Sequence, residues 1–339
     1  MKTHLNTLFI TKEGAYLRKD GAAVEVRLEK ETLLRVPLHN LQGIVALGYD
    51  IGASAALMAA CAESGVAFSF CTPYGRFMAA IRGFTSGNVL LRRMQYRQAD
   101  DPESTRKLAA AFVSAKLANS RVVLLRSKRD HGTPPEVDQV ATALKRSAEE
   151  VWNAESADSI RGLEGEAAAR YFSVFNHLIQ SPGFEFSGRQ KRPPPDPVNA
   201  LLSFCYSLLA HDCRSALESV GLDAAVGFLH RDRPGRPSLA LDLMEEFRAF
   251  MADRCVLTMI NRRQIQPSDF IHRETGSIEL TEEARKRLLV AWQERKQDEI
   301  THPFLNEKIS VGLIPFIQAR LLARAIRGDL DAYPAFLWS

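Results

Sequence analysis

The strongest constraint on the fold is a change in hydrophobic pattern near residue 90. Before it, short alternating or β-branched runs such as NTLFIT and AAVEVRL are separated by glycine and aspartate, which predicts strands and tight turns. After it, apolar residues recur at helical spacing over long stretches such as DPESTRKLAAAFVSAKLANSRVVLLRS. We therefore expect an α+β protein with a small β-rich domain at residues 1–89 and a larger all-α domain at residues 90–339.

The composition is that of an ordinary globular protein, with 46% hydrophobic and 25% charged residues. The sequence begins without an apolar stretch behind basic residues, and we expect no spanning helix of roughly 18 to 20 apolar residues. None of the five cysteines forms a C-x-x-C pair. We therefore expect a cytoplasmic protein whose cysteines are buried, unreactive thiols.

Basic residues are unevenly distributed along the chain. Between Val89 and Gly132, ten Lys or Arg accompany only four Asp or Glu. Clustered arginine is typical of proteins that bind polyanions, because the guanidinium meets two phosphate oxygens at once. The alternative to polyanion binding is that these basic residues form a solvated charged face without a partner. Further basic clusters are Arg189, Lys191 and Arg192; Arg231, Arg233 and Arg236; and Arg262 and Arg263.

The stretch from His230 to Arg248 has the residue types of a metal site. His230 precedes a predicted helix in which Asp242 and Glu245 are three residues apart, on neighbouring rows of one face. An imidazole and carboxylates at the edge of a buried face suit Mn²⁺ or Mg²⁺. Spacing alone does not separate Glu245 from Glu246, and such acids are often simply solvated. The apolar stripe expected to seat the helix is Leu239, Leu243, Phe247 and Phe250.

A second candidate is Glu164, which lies beside Gly165 in the middle of a predicted helix. A glycine inside a helix costs roughly 1 kcal/mol relative to alanine, so its presence calls for an explanation. Close approach by a ligand or another helix would explain it. The alternative is a local packing accommodation, with Glu164 forming an ordinary surface pair with Arg161.

Four segments in this order resemble the Cas-one family, the CRISPR-associated integrases that insert new spacers into a repeat array. GFTSGNVLLRRMQYRQ looks like the family's domain junction, and GLEGEAAARYF looks like its catalytic-glutamate helix. KRPPPDPVNALLSFCYSLL resembles the segment that leads into the central helix, and GLDAAVGFLHRDRPGRPSLALDLMEEFR resembles the stretch with the histidine and the last acid. The similarity extends from the first strands to AYPAFLW, with a pattern close to type I-C members.

The resemblance implies the site and the assembly. It assigns Glu164, His230 and Glu245 as ligands of Mg²⁺ or Mn²⁺ and Asp242 as a supporting catalytic acid, and it selects Glu245 over Glu246. It further implies that the first domain is β-sandwich-like and mediates a homodimer. It also implies a heterohexameric complex with a dimeric Cas-two protein.

The implied activity is attack of a DNA 3′-hydroxyl on a repeat phosphodiester, with double-stranded DNA as both donor and target. A hydrolytic nuclease or junction resolvase would use the same metal site with water as nucleophile. In a non-enzymatic DNA scaffold, Glu164 and His230 would be structural. The basic residues expected to hold DNA phosphates are Arg92, Arg93, Arg97, Arg189, Lys191, Arg192, Arg231 and Arg248.

Overall fold

The computed structural model describes residues 6–81, 83, 89–190, 193–274 and 276–338. The chain forms two compact units, Met1–Gly87 with Leu289–Gln297, and Asn88–Leu288 with Asp298–Ser339. The elements of the first unit are β1 (Thr7–Ile10), β2 (Ala15–Asp20), β3 (Ala23–Leu28), β4 (Glu31–Pro37), β5 (Gly43–Leu47), β6 (Gly52–Ala53), α1 (Ala55–Ser64), β7 (Ala67–Cys71) and β8 (Phe77–Ile81).

The strands of the first unit form two four-stranded sheets. In the order β1-β5-β7-β8, the first three strands are parallel and β8 is antiparallel to β7. In the order β4-β3-β2-β6, the first three strands are antiparallel. Both sheets contribute to one apolar core, with Leu17 and Val24 from the second sheet and Ile44 and Phe68 from the first. In β2, Ala15 and Leu17 are buried while Tyr16 and Arg18 are exposed, as a period of two predicts, whereas all five residues of β5 are buried.

The second unit is mainly helical. Its helices are α2 (Val89–Asp100), α3 (Pro102–His131), α4 (Pro135–Glu150), α5 (Ala157–Ser173), α6 (Pro197–Ser219), α7 (Ser238–Glu245), α8 (Arg254–Asn261), the start of α9 (Glu282–Gln297) and α10 (Ile314–Arg327). The part of α9 from Leu289 onward belongs to the first unit. It also contains two short antiparallel ribbons, β9 (Phe270–His272) with β10 (Ile278–Leu280) and β11 (Glu299–Thr301) with β12 (Lys308–Ser310). The predicted α+β class is confirmed, and the ribbons are an addition to the helical part.

Polar side chains cap several long helices. Asp101 caps α3 by accepting the Ser104 N–H at 2.8 Å. Ser156 caps α5, and Asp196 caps α6 ahead of Pro197. These caps bind backbone donors that have no partner within the helix, and they fix where each helix begins.

Helix α3 is the central helix of the second unit. It packs against α4, α5 and α7. Contrary to our expectation, one stretch of the described residues, within Pro102–His131, is long and apolar enough to cross a membrane. However, 67% of that stretch is buried inside the protein, as in the core helix of a globular domain. All five cysteines are free and buried, as predicted.

The helix expected after Pro237 is not continuous. Helix α7 ends at Glu245, a π-helical segment follows at Arg248–Asp253, and α8 begins at Arg254. The expected stripe is nevertheless buried, because Leu239, Leu243, Phe247 and Phe250 are all 0% exposed. A π-helical segment inserts one residue per turn and redirects the side chains that follow it, and it is often found at functional sites.

Candidate active site

Asp242 holds His230 in a fixed orientation. Its buried carboxylate accepts the backbone N–H groups of Phe228 at 2.6 Å, Leu229 at 3.0 Å and His230 at 2.9 Å. Oδ1 also lies 2.7 Å from His230 Nδ1. A carboxylate surrounded by donors acts as an acceptor, so Nδ1 donates to it and Nε2 is left free of Asp242. The histidine is therefore set up to use Nε2 as a ligand or base.

Gly227 makes this arrangement possible. A Cβ atom at this position would lie 2.8 Å from Asp242 Oδ2 and 2.8 Å from Ser238 Cβ. The loop can therefore approach α7 closely only with glycine here. This close approach directs the three following N–H groups at the carboxylate.

Glu245 lies one helical turn after Asp242 and is compensated by cations. Its Oε2 is 2.7 Å from Lys116 Nζ and 2.9 Å from Arg248 Nε, and its Oε1 is 3.9 Å from His230 Nε2. Burial alone would raise the pKa of Glu245, but Arg248, Lys116 and His230 outweigh it and lower the pKa to about 2. The carboxylate is ionised throughout the physiological range.

Glu164 meets the same lysine from α5. Its Oε1 accepts a hydrogen bond from Lys116 Nζ, so one ammonium contacts both carboxylates. The alternative pairing of Glu164 with Arg161 is not formed, because Arg161 pairs with Asp158 and donates to the Leu229 carbonyl at 2.6 Å. The structure thus brings Glu164, His230, Asp242 and Glu245 into one region of the second unit.

Glycine 165 is not explained by a neighbouring helix. A Cβ added at Gly165, or at Gly162 one turn earlier, would meet no described atom within 4 Å. Of the alternatives left open by the sequence, close approach by another helix is therefore excluded among the described residues. An open, exposed helix face beside Glu164 remains compatible with approach by a ligand.

The donor set suits a hard divalent cation. It comprises two carboxylates and an imidazole that a further carboxylate orients through Nδ1, as is common for ligating histidines. Although Glu245 Oε2 is buried and near two cations, no described N–H group has hydrogen-bond geometry to it. As the side chains stand, no three His, Cys, Asp or Glu residues within the described ranges are close enough to hold a metal ion. The two glutamates instead converge on Lys116.

Arg248, which was predicted to bind DNA, lies at this site. Its side chain is 13% exposed, and its guanidinium carbon lies 4.7 Å from the centre of the Tyr206 ring. Burial would lower its pKa, but Glu245 is the largest of several anionic neighbours that raise it. Tyr206 in turn donates to Asp253 at 2.6 Å, so the π-helical segment links Glu245 to a buried polar network.

Glu246 points away from this site into a cage of neutral donors. Its carboxylate accepts from Tyr333 Oη at 2.6 Å, the Phe336 N–H at 2.7 Å and Gln318 Nε2 at 3.1 Å. Burial raises the pKa of Glu246 to about 7 despite these hydrogen bonds. Geometry thus separates the two adjacent glutamates that spacing alone did not.

A cleft of about 540 Å³ extends from His230 between α2, the start of α3 and the start of α5. Helix α2 contributes Tyr96 and Asp100 to its wall. The same helix carries Arg92, Arg93 and Arg97, of which the last two are exposed. These arginines therefore lie on an element that borders the cleft.

The other predicted DNA-binding residues have different surroundings. Arg189 is held inside the unit by Asn199 Oδ1 at 2.7 Å and Ser203 Oγ at 3.0 Å. Arg231 is exposed and forms a bidentate pair with Asp158 at 2.7 Å. Lys191 and Arg192 lie outside the described residues.

Lys116 was not singled out from the sequence. It lies in LAAAFVSAKLANSRVVLL, an apolar run in which a single lysine interrupts the buried pattern. Lysine is almost never fully buried unless it is paired, so its isolation in such a run was an available signal. Its partners lie 48 and 129 positions further along the chain and could not be inferred from spacing.

Comparisons with known proteins agree with the resemblance seen in the sequence. A family profile described as CRISPR associated protein Cas1 matches residues 8–294. The CRISPR-associated endonuclease Cas1 1 of Chlorobaculum tepidum is 51% identical over 100% of both chains.

Solved structures share the fold. A casposase bound to integration product has a TM-score of 0.84 at 22% identity, with 97% of this chain and 94% of that chain covered. A chain of a Cas6-RT-Cas1–Cas2 complex has a TM-score of 0.84 at 24% identity, with 100% of this chain and 36% of that chain covered. The chain therefore belongs to the CRISPR-associated Cas1 family of endonucleases.

Proposed function

We propose that this protein is a divalent-metal-dependent DNA integrase that inserts new spacers into a CRISPR array. In this reaction a DNA 3′-hydroxyl attacks a phosphodiester of the repeat. The observation that carries the proposal is the convergence of Glu164, Glu245 and the oriented imidazole of His230 in one partly buried site. Family membership supports the endonuclease class, and the site geometry supports the residues that perform the chemistry.

The residues that would hold Mg²⁺ or Mn²⁺ are Glu164, His230 and Glu245. When bound, the cation supplies Lewis-acid polarisation of a phosphoryl oxygen and compensation of charge on the leaving oxygen. Asp242 binds His230 Nδ1 and so orients the ring with Nε2 free of that carboxylate, and Arg248 keeps Glu245 ionised and in place. The cleft beside His230 gives the DNA a path to the site.

The proposed partners are double-stranded DNA, a second copy of the chain and a Cas2 dimer in a heterohexamer. The structural neighbours support this, since one is a casposase bound to integration product and another is a Cas1–Cas2 complex. We assign the dimer contact to residues 1–89 and the DNA contacts to the arginines of α2. The sequence pattern supports assignment to type I-C, and action on a CRISPR array supports a cytoplasmic location.

The test is a Glu164→Ala variant, with Glu166→Ala as matched control. Glu166 lies two residues away on α5, is exposed and pairs with Arg170. With Mn²⁺, we expect Glu164→Ala to bind branched DNA normally but to cut or join it at least roughly 100-fold more slowly, because a metal ligand is lost. We expect Glu166→Ala to match the wild type.

The products distinguish integration from the alternatives. Labelled DNA ends joined to a repeat substrate support the integrase. Cut products without joining would indicate a hydrolytic nuclease or junction resolvase, and full activity of Glu164→Ala would refute the site.

A further inference from the structure

We propose that Lys116 is a built-in counter-ion of the metal site, which holds Glu164 and Glu245 together and competes with the divalent cation for their oxygens. The inference builds on the proposed metal site and adds a residue to it. Lys116 would then control how readily the site accepts its metal, in addition to stabilising the fold.

The first support is geometric. The Lys116 ammonium contacts Glu164 Oε1 and lies 2.7 Å from Glu245 Oε2, so it uses one oxygen from each proposed carboxylate ligand. Its side chain is only 12% exposed. It therefore occupies a position between the two carboxylates rather than a place on the surface.

The second support is that the helix carrying Lys116 is held firmly in the fold. Lys116 lies on α3 between the buried residues Ala115 and Leu117. One turn later, Asn119 donates to the Glu246 carbonyl at 2.7 Å and to the Phe336 carbonyl at 2.9 Å. The helix that carries the lysine is thus tied to the turn that carries Glu245, and the ammonium is held at the site by the fold.

The third support is the charge of the site. Glu164, Asp242 and Glu245 are opposed by Lys116 and Arg248, so these five side chains carry a net charge of −1 when all are ionised. A divalent cation would change this to +1 if Lys116 stayed. Like charges held a few ångströms apart in a buried region repel strongly. The lysine must therefore withdraw from the carboxylates, or the cation binds weakly.

These observations predict that Lys116 stabilises the metal-free protein but disfavours the metal-bound protein. Without metal, the lysine compensates buried carboxylates and stabilises the fold. With metal, its withdrawal costs free energy and weakens apparent cation affinity. A neutral side chain of similar length should therefore lower stability in chelator and tighten metal binding.

The test compares Lys116→Met with Lys128→Met. The methionine keeps an apolar stem of similar length, and Lys128 is an exposed lysine of the same helix that pairs with Asp138. Mn²⁺ binding is measured without DNA, by calorimetry and by the electron paramagnetic resonance of free Mn²⁺. We expect Lys116→Met to bind Mn²⁺ roughly tenfold more tightly. We also expect its Tm in EDTA to fall by roughly 3 to 8 °C. Lys128→Met should change neither.

Two further variants test the inference if Lys116→Met does not fold. Lys116→Gln removes the charge but keeps a hydrogen-bond donor, and we expect it to tighten Mn²⁺ binding as well. Lys116→Arg keeps the charge, and we expect it to retain weak binding. Unchanged or weaker Mn²⁺ affinity in both neutral variants would overturn the inference.

The wild type and Glu164→Ala separate this inference from the proposed function. If the wild type binds Mn²⁺ and Glu164→Ala does not, the metal site stands and the lysine variants alone decide the inference. If no variant and no wild-type sample binds Mn²⁺, the metal site itself fails and the inference fails with it.

Discussion

Glu245 and Glu246 are neighbours in the chain, both almost fully buried, yet they occupy opposite electrostatic environments. Glu245 is surrounded by cationic groups, and its pKa is lowered to about 2. Glu246 is surrounded by a tyrosine hydroxyl, a backbone N–H and an amide, and its pKa is raised to about 7. Glu246 keeps helical backbone angles, and consecutive residues of a helix are about 100° apart around its axis, so the two side chains face different surroundings.

The difference shows which partners preserve a buried charge. Three neutral donors reduce the cost of burial but do not cancel it, whereas Lys116 and Arg248 supply full opposite charges. The first environment maintains an anion that is suited to bind a metal. The second tolerates a carboxyl group in either protonation state and serves to anchor the chain.

The largest expected contrast is in activity. We expect Glu245→Gln to reduce metal-dependent DNA cleavage by on the order of 100-fold or more, because a charged ligand is lost. We expect Glu246→Gln to stay within a few-fold of the wild type, because it faces the other side. Initial rates on a branched DNA in Mn²⁺, below both melting temperatures, measure this. Equal losses in the two variants would contradict the separation.

Asp242 sharpens the comparison, because it lies near Glu245 but has neutral donors like those of Glu246. We expect Asp242→Asn to weaken Mn²⁺ affinity by roughly 10- to 100-fold, since an amide cannot accept from all four N–H groups and keep His230 oriented. Calorimetric titration with Mn²⁺ measures the effect. The matched control is Asp138→Asn, an exposed position on α4 that should leave the affinity unchanged. Wild-type affinity in Asp242→Asn would show that the hydrogen bond to Nδ1 is dispensable.

The smallest expected effect is on stability as a function of pH. Because the folded-state pKa of Glu246, about 7, exceeds its ordinary value of 4.5, the folded protein retains a proton that the unfolded chain releases between these values. Stability should therefore rise as pH falls from about 7 to 5, by on the order of 1 to 2 kcal/mol from this group. Asp253, whose pKa is raised to about 6, acts in the same direction.

Urea unfolding of wild type and Glu246→Gln between pH 5 and 8 measures that effect. The variant should show a weaker pH dependence than the wild type. Glu245 does not interfere, because its lowered pKa gives stability that is lost only below about pH 4.5. Parallel pH profiles of the two proteins would indicate that Glu246 does not hold a proton near neutrality.

Sequence periodicity predicted the parts of the fold that depend on local physics. The stripe of Leu239, Leu243, Phe247 and Phe250 is buried as predicted, and the change from strands to long helices near residue 90 is present. Such features depend on residues only a few positions apart, so the local sequence pattern is sufficient to predict them. The assignment of Glu245 over Glu246 needed the family resemblance as well, because the two lie three and four residues after Asp242 and helical spacing allows either.

The features missed by sequence reasoning depend on distant partners. Lys116 has a role at the site only because folding brings Glu164 and Glu245 to it. The sequence around the lysine does not identify these two partners. The cage around Glu246 likewise draws on residues from α10 and from the segment after it. Of the explanations offered for Gly165, contact with another helix is not found among the described residues, because a glycine indicates available space but not what fills it.

The cage around Glu246 also has a consequence for the order in which the molecule is built. Its donors follow it in the chain by 72, 87 and 90 positions. During synthesis the turn that presents Glu245 therefore emerges well before the groups that fasten its other side. In a nascent chain, Glu245 would be present before the hydrogen bonds of Glu246 hold the neighbouring backbone in place. The hydrogen bonds that fix Glu246 can therefore form only after Phe336 has been synthesised.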